Sequence, residues 1–273
     1  MKKTIKTVFI VAILLMPAFC ATSPEPVPED ISFALIANTL PPTPYSEPDE
    51  KYAKLISDVN NSGVSFTIHM GNMIFSGPAE KTLNDLDIKK QIESQKKYTS
   101  ALFSRFFHVT GEYDIYHKNH QLLEQELGPD YYSFNYGNTH FIVLNSNDTR
   151  VNFISRNQFS WLRTDFKNNH KFARFIIFLN HIPKLPPDDR HFRGLQTLNQ
   201  NSELLNILEQ HGRSDVIISN YGSLYFEFSD GNTTFINAPV SNLSDYTRKS
   251  ENDFYIVSAE AGKIKVEGRR ISK

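Results

Sequence analysis

Five short apolar runs in this chain each end on residues able to do polar chemistry. SFALIA (32–37) runs into Asn38-Thr39-Leu40, VSFTIHM (64–70) into Gly71-Asn72, and RFFHVT (105–110) into Gly111-Glu112-Tyr113-Asp114. RFIIFL (174–179) runs into Asn180-His181-Ile182-Pro183, and DVIIS (215–219) into Asn220-Tyr221-Gly222-Ser223. Open α/β sheets hold their ligands in the crevice at the carboxyl ends of strands, so these clusters are expected to share one rim. The imidazole of His181 and the carboxylates of Glu112 and Asp114 are donor types suited to a divalent ion and to metal-assisted hydrolysis. The amides are the odd members. Asn38 and Asn72 stand where a carboxylate would serve a metal better, because an amide brings no charge to offset a dication.

The elements that must position these residues alternate. KYAKLISDVNN (51–61) carries apolar residues at helical spacing, and NQFSWLRTDFKNN (157–169) puts Phe159, Trp161, Leu162 and Phe166 on a buried face. SELLNILEQHG reads as a helix capped by Ser202 and stopped by Gly212. Three longer stretches read as hairpins, turning at Gly137-Asn138, at Asp230-Gly231-Asn232 and at Ala261-Gly262. Strand–helix units mixed with hairpins predict an α/β fold. The arrangement expected is a four-layer αββα sandwich of two mixed β-sheets flanked by helices.

From about residue 32 to 239 the order of these motifs resembles the calcineurin-like metallophosphoesterases, which include the purple acid phosphatases. YYSFNYGNTHFIVLNS followed by QFSWL is the most family-like stretch, and an H-x-P (His181 to Pro183) and a closing hairpin follow in order. The resemblance implies a site built for two divalent metals about 3.5–4 Å apart, which activate water and clamp a phosphoryl group. It also implies a ligand pattern from which this chain departs nearly everywhere. Asn38-Thr39-Leu40 replaces Asp-x-His, and Gly71-Asn72 replaces the Gly-Asp of the bridging carboxylate. Gly111-Glu112-Tyr113-Asp114 replaces Gly-Asn-His-Asp, so Tyr113 stands for the general acid. Asn220-Tyr221-Gly222-Ser223 replaces Gly-His-x-His. His181 alone is retained.

Two readings follow. In the first, the chain keeps the phosphoesterase fold as a pseudo-enzyme with no cofactor and acts by binding an unknown protein or a small anionic ligand at the rim. Asn38 and Asn72 then hydrogen-bond each other, Asp114 caps backbone N–H groups, hydrogen bonds fix His181 and His140 packs in the core. In the second, the chain is a divergent phosphoric ester hydrolase with one rebuilt divalent site for Mn, Fe or Zn. Its ligands would be Glu112, Asp114 and His181, or Glu112 and His181 with one of His69 or His108. Near the rim, PPTPYSEP (41–48) could present Tyr45, and PPDDRHFRG (186–194) holds Arg190 and Arg193.

Composition narrows the classes. Lys+Arg at 29 against Asp+Glu at 30 leaves no electrostatic footprint for nucleic acid. No G-x-S-x-G, H-E-x-x-H or Walker loop is present. Lys2, Lys3 and Lys6 precede the apolar run VFIVAILLMPAF, which reads as a signal peptide over residues 1–20. Residues 21–30 read as a Pro-rich tether and 31–273 as one domain, with no transmembrane span after signal removal. The expected location is exported: periplasmic, cell-surface or extracellular. Cys20, the sole cysteine, is the lipidation candidate, with simple secretion the alternative. Sequons at Asn60, Asn147, Asn232 and Asn242 matter only in a glycosylating host.

Overall fold

The structure is a computed structural model that describes residues 30–76, 83–115, 121–187, 190–192, 195–213, 215–241, 243, 250–260 and 263–272. The leader, Cys20, tether residues 21–29, Arg193, Asn242 and the Ala261-Gly262 turn lie outside the described residues, as does the side chain of Arg190.

Strands β1 (Ile31–Ile36), β2 (Phe66–His69) and β3 (Arg105–His108) run parallel. The C-terminal hairpin, β10 (Phe254–Glu260) and β11 (Lys263–Arg269), extends them antiparallel, giving the order β11-β10-β1-β2-β3. The second sheet is built from β4 (Tyr132–Tyr136), β5 (Thr139–Val143), β6 (Arg174–Leu179), β7 (Asp215–Ser219), β8 (Phe226–Asp230) and β9 (Thr233–Asn237). Its order is β4-β5-β6-β7-β9-β8, with β5, β6, β7 and β9 parallel and the edge strands antiparallel. Two mixed sheets match the expected class.

Aromatic rings cement the sheets face to face. Phe33 stacks on Phe66 at 5.0 Å and meets Phe141 and Phe178 edge-on at 5.9 and 5.7 Å, geometries in which the ring quadrupoles attract. Outside the first sheet, α1 (Lys51–Asn61) seats Tyr52, Leu55, Ile56 and Val59 against Ala34 and Ile36. Beside it, α2 (Asp85–Thr99) and α3 (Gln121–Leu127) cover Phe106. Outside the second sheet, α4 (Arg156–Asn168) and α5 (Asn201–His211) pack on Ile142, Phe175 and Ile177. The layers are therefore αββα.

Three details differ from the sequence reading. α5 begins at Asn201, so Ser202 sits inside the first turn rather than capping it, and its N–H donates to Asn201 Oδ1. Gly212 does end that helix, in the left-handed region at φ 66° that glycine adopts without strain. Trp161 is only half-buried and lies edge-on to Tyr131. The helices α2 and α3 have no counterpart in the sequence reading. Among the described residues no helix is long and apolar enough to cross a membrane.

Candidate functional site

The carboxyl ends of both sheets meet at one rim, and asparagine amides tie them together. Asn38 Nδ2 donates to Val240 O beyond β9 (2.7 Å), and Asn180 Nδ2 donates to Met70 O beyond β2 (3.3 Å) and to Asn220 O (3.2 Å). Asn147 Nδ2 donates to Thr110 O beyond β3 (3.2 Å), and Val240 N donates to Asn220 Oδ1 (2.9 Å). Asn237, at the end of β9, is saturated. It donates to Tyr221 O and Leu224 O and accepts from Ser219 Oγ and Tyr221 N. Buried amides call for partners on both oxygen and nitrogen, and the neutral network supplies most of them, although Asn220 Nδ2 has none among the described residues.

At the centre, Asn72 Nδ2 donates to Asn38 Oδ1 at 2.8 Å, as expected for two amides filling the rim neutrally. Asn72 Oδ1 accepts from Tyr113 N at 3.1 Å. Both asparagines hold left-handed backbones, φ 56° for Asn38 and 62° for Asn72, a region Asn tolerates better than most residues. This sharp turn lets the two strand-end loops bond each other through Asn38 N to Gly71 O and Leu40 N to Asn72 O.

Asp114 is consumed by the backbone. Its carboxylate accepts from the N–H groups of Asn72 (2.8 Å), Met73 (2.7 Å), Ile74 (3.0 Å) and Gly111 (2.8 Å), which fixes the 3₁₀ turn Glu112–Asp114 to the loop after β2. Burial raises the Asp114 pKa, and the four amide donors offset only part of that rise. The capping role expected for this residue is the one observed.

His181 is buried, with Nδ1 3.0 Å from Ser146 Oγ, which also accepts from His181 N. Its ring tilts against Tyr221 at 4.9 Å. Burial lowers its pKa to about 4. Its Nε2 has no hydrogen-bond partner among the described residues. Glu112 and Tyr113 are half-buried in the turn, Tyr113 tilting over Phe75, while Ser223 is exposed and Leu40 buried.

The histidines proposed to help rebuild a metal site do not turn to this rim. Strand alternation places Phe66, Ile68 and Phe107 between the sheets, so His69 and His108 face the helical layer. His69 Nδ1 accepts from Gly71 N, which leaves the proton on Nε2 to be donated to Thr39 Oγ1 at 2.9 Å. Thr39 Oγ1 in turn donates to Gln95 of α2. His140, the expected core histidine, lies between Asn135 Oδ1 and Asp165 Oδ2. Among the described residues no group of three or more His, Cys, Asp or Glu is placed to hold a metal ion.

Close approach of the two glycine turns shapes the centre. A Cβ on Gly111 would lie 2.3 Å from Asn72 N and 2.3 Å from Asn72 Oδ1. Gly111 has φ −89° and ψ 174°, comfortable for alanine, so Gly111→Ala isolates the steric term. It is expected to cost about 1–3 kcal/mol in denaturant melts, because the Asn72 turn must move away. An unchanged midpoint would show that the loops do not touch.

No family model and no curated protein matches the sequence. Solved structures do match. A dimetal phosphatase from Danio rerio superposes with TM-score 0.67 at 14% identity, covering 91% of this chain and 98% of that one. The fold is that of the calcineurin-like phosphoesterases. The anchor protein GAP50 of the Plasmodium inner membrane complex superposes with TM-score 0.57 at 14% identity, over 89% of this chain and 90% of that one. A purple acid phosphatase from yellow lupin seeds gives 0.58 at 8% identity, over 88% of this chain and 51% of that one.

A dimetal centre of the kind this fold carries does not fit the donors present. Asn72, which the resemblance aligns with the bridging carboxylate, is an amide already donating to Asn38, and the neighbouring Asp114 carboxylate is occupied by four N–H groups. Sequence reasoning reached Asn38, Asn72, Asn180, His181 and Asn220 through the strand ends but missed Asn147 and Asn237 as members of the rim. Asn147 is fully buried with its amide donated to Thr110 O, so its sequon is not open to modification. Beside the rim, the loop 41–48 and α2 enclose a cavity of about 200 Å³ lined by Pro41, Pro44, Tyr45, Pro48 and Lys90. Gln91 locks it by donating to Pro44 O and accepting from Phe75 N.

Proposed function

We propose that the chain is an exported phosphoesterase-fold protein without catalytic activity that acts through binding at the rim. The observation that carries this reading is the Asn72–Asn38 hydrogen bond at the place where the fold's enzymes bridge two metals. The general-acid position holds Tyr113 in place of an imidazole, and its backbone N–H anchors the turn to Asn72 Oδ1. The partner is a protein or a small anionic ligand. The rigid proline loop, with Tyr45 67% exposed beside the cavity, supplies a preformed contact surface. Export rests on the basic, then apolar, N-terminal segment.

A second reading keeps one divalent ion and hydrolysis, and the unpartnered Nε2 of His181 favours it. One experiment separates the two. The chain is exposed to Mn, Fe and Zn, dialysed and analysed for bound elements, and p-nitrophenyl phosphate turnover is measured on the same sample. The binding protein retains far less than one ion per chain and gives no turnover above buffer. One or two retained ions with turnover would overturn the proposal.

A further inference from the structure

Phe103 is 88% exposed, the most solvent-accessible large apolar residue among those described, and it is held in place rather than loose. Its N–H donates to Asn60 Oδ1 (2.8 Å), and Asn60 Nδ2 donates back to Ala101 O (2.8 Å). Leu102 beside it packs into the core under α1. The turn therefore cannot swing the ring inward.

Strand register locates this ring at the end of the sandwich opposite the rim. Phe33 pairs with Phe66, and Phe66 pairs with Arg105. Ile31 opens β1, and Val64 and Phe103 each stand two residues before β2 and β3, so all three lie at the amino ends of the strands. With strands about 4.8 Å apart, β3 lies roughly 10 Å from β1, where the N-terminal segment enters the domain. That segment carries the apolar run VFIVAILLMPAF, ending at residue 19. The ten residues from 20 to 29 span at most about 35 Å when fully extended. A lipid on Cys20, or the apolar run where it is retained, would tether the Phe103 end to a membrane at high effective concentration. Exposed Lys97, Arg105 and Lys263 stand at this end, and carboxylates described there sit against cations: Asp30 near Arg174, Glu260 opposite Lys263 and Glu126 on Lys96.

We propose that this end of the sandwich rests on an anionic lipid surface. Phe103 enters the boundary between headgroups and acyl chains, and Lys97, Arg105 and Lys263 meet the headgroups. The asparagine rim then faces away from the lipid.

The test uses the full chain with Phe103→Trp, reconstituted in phosphatidylglycerol vesicles with and without brominated acyl chains. Wild type, whose sole tryptophan is Trp161, is the blank. The expected result is a blue-shifted signal from the introduced tryptophan, quenched severalfold by bromolipid, with Trp161 unquenched and the quenching weaker in neutral vesicles. A vesicle-bound chain whose introduced indole stays water-like and open to acrylamide would overturn the proposal, as would a chain left in the supernatant. Shielding from acrylamide without bromolipid quenching would also overturn it, because a protein contact would then cover the ring.

Discussion

Acidification from about pH 7 to about pH 5 is expected to cost the folded state roughly 5–6 kcal/mol through three histidines. Burial lowers the pKa of His69 to about 3, and of His108 and His181 to about 4. For His69 the nearby His108 adds to the effect. In the unfolded chain each titrates near 6.5, so below that pH the unfolded state binds about three more protons than the folded one. Stability contributed by keeping these rings neutral is present above the unfolded pKa and is lost as pH falls toward the folded values. Asp114 and Asp215 work against this slope, because burial raises their pKa values and the folded state takes up protons first. The net loss is therefore smaller than the histidine sum. Guanidinium melts at three pH values in this window should show a steadily falling midpoint. His108→Gln should remove about one proton, a third of the histidine slope. A His108→Gln variant whose midpoint falls as steeply with pH as that of wild type would mean that this ring is not buried neutral.

The architecture was readable where the sequence is apolar and obscure where it is polar. RFIIFL and DVIIS coincide with β6 and β7 because buried parallel strands read as continuous apolar runs. KYAKLISDVNN coincides with α1 because its buried residues recur at helical spacing. DLDIKKQIESQKKYT gave no such signal. Of the four residues α2 buries, two are Gln91 and Gln95, which hydrogen-bond the loops after β1 and β2 instead of filling an apolar core. The site divides the same way. Strand ends marked the rim, and the chemistry of paired amides anticipated the Asn38–Asn72 bond. Asn237 and Asn147 carried no mark, because their partners come from loops far away in sequence. A buried amide looks like a turn residue until its partners are in place.

Charging the centre of the rim tests whether its neutrality is what holds it together. Asn38→Asp with Asn72→Asp replaces a 2.8 Å amide hydrogen bond by two facing carboxylates. Asp accepts the left-handed backbone about as well as Asn, so the turns at φ 56° and 62° carry little new strain. Rotating either side chain brings no relief. Asn38 Nδ2 is needed by Val240 O, Asn72 Oδ1 already serves Tyr113 N, and the Asp114 carboxylate lies one residue's N–H away. Losing the amide donors leaves buried acceptors unpaired at about 1–3 kcal/mol each, and like-charge repulsion adds to this unless one carboxyl stays protonated. In metal-free buffer the double variant should be destabilised by about 3–5 kcal/mol, a fall in Tm of roughly 6–20 °C for a domain of this size. Each single variant should lose less, because one charge facing an amide lacks the pair repulsion. Added Mn or Ca should return part of the loss in the double variant and none in wild type, since only two carboxylates recreate an anionic seat for a dication. A double variant as stable as wild type in chelator would mean that these side chains do not meet, and the neutral rim would then explain nothing about the missing metals.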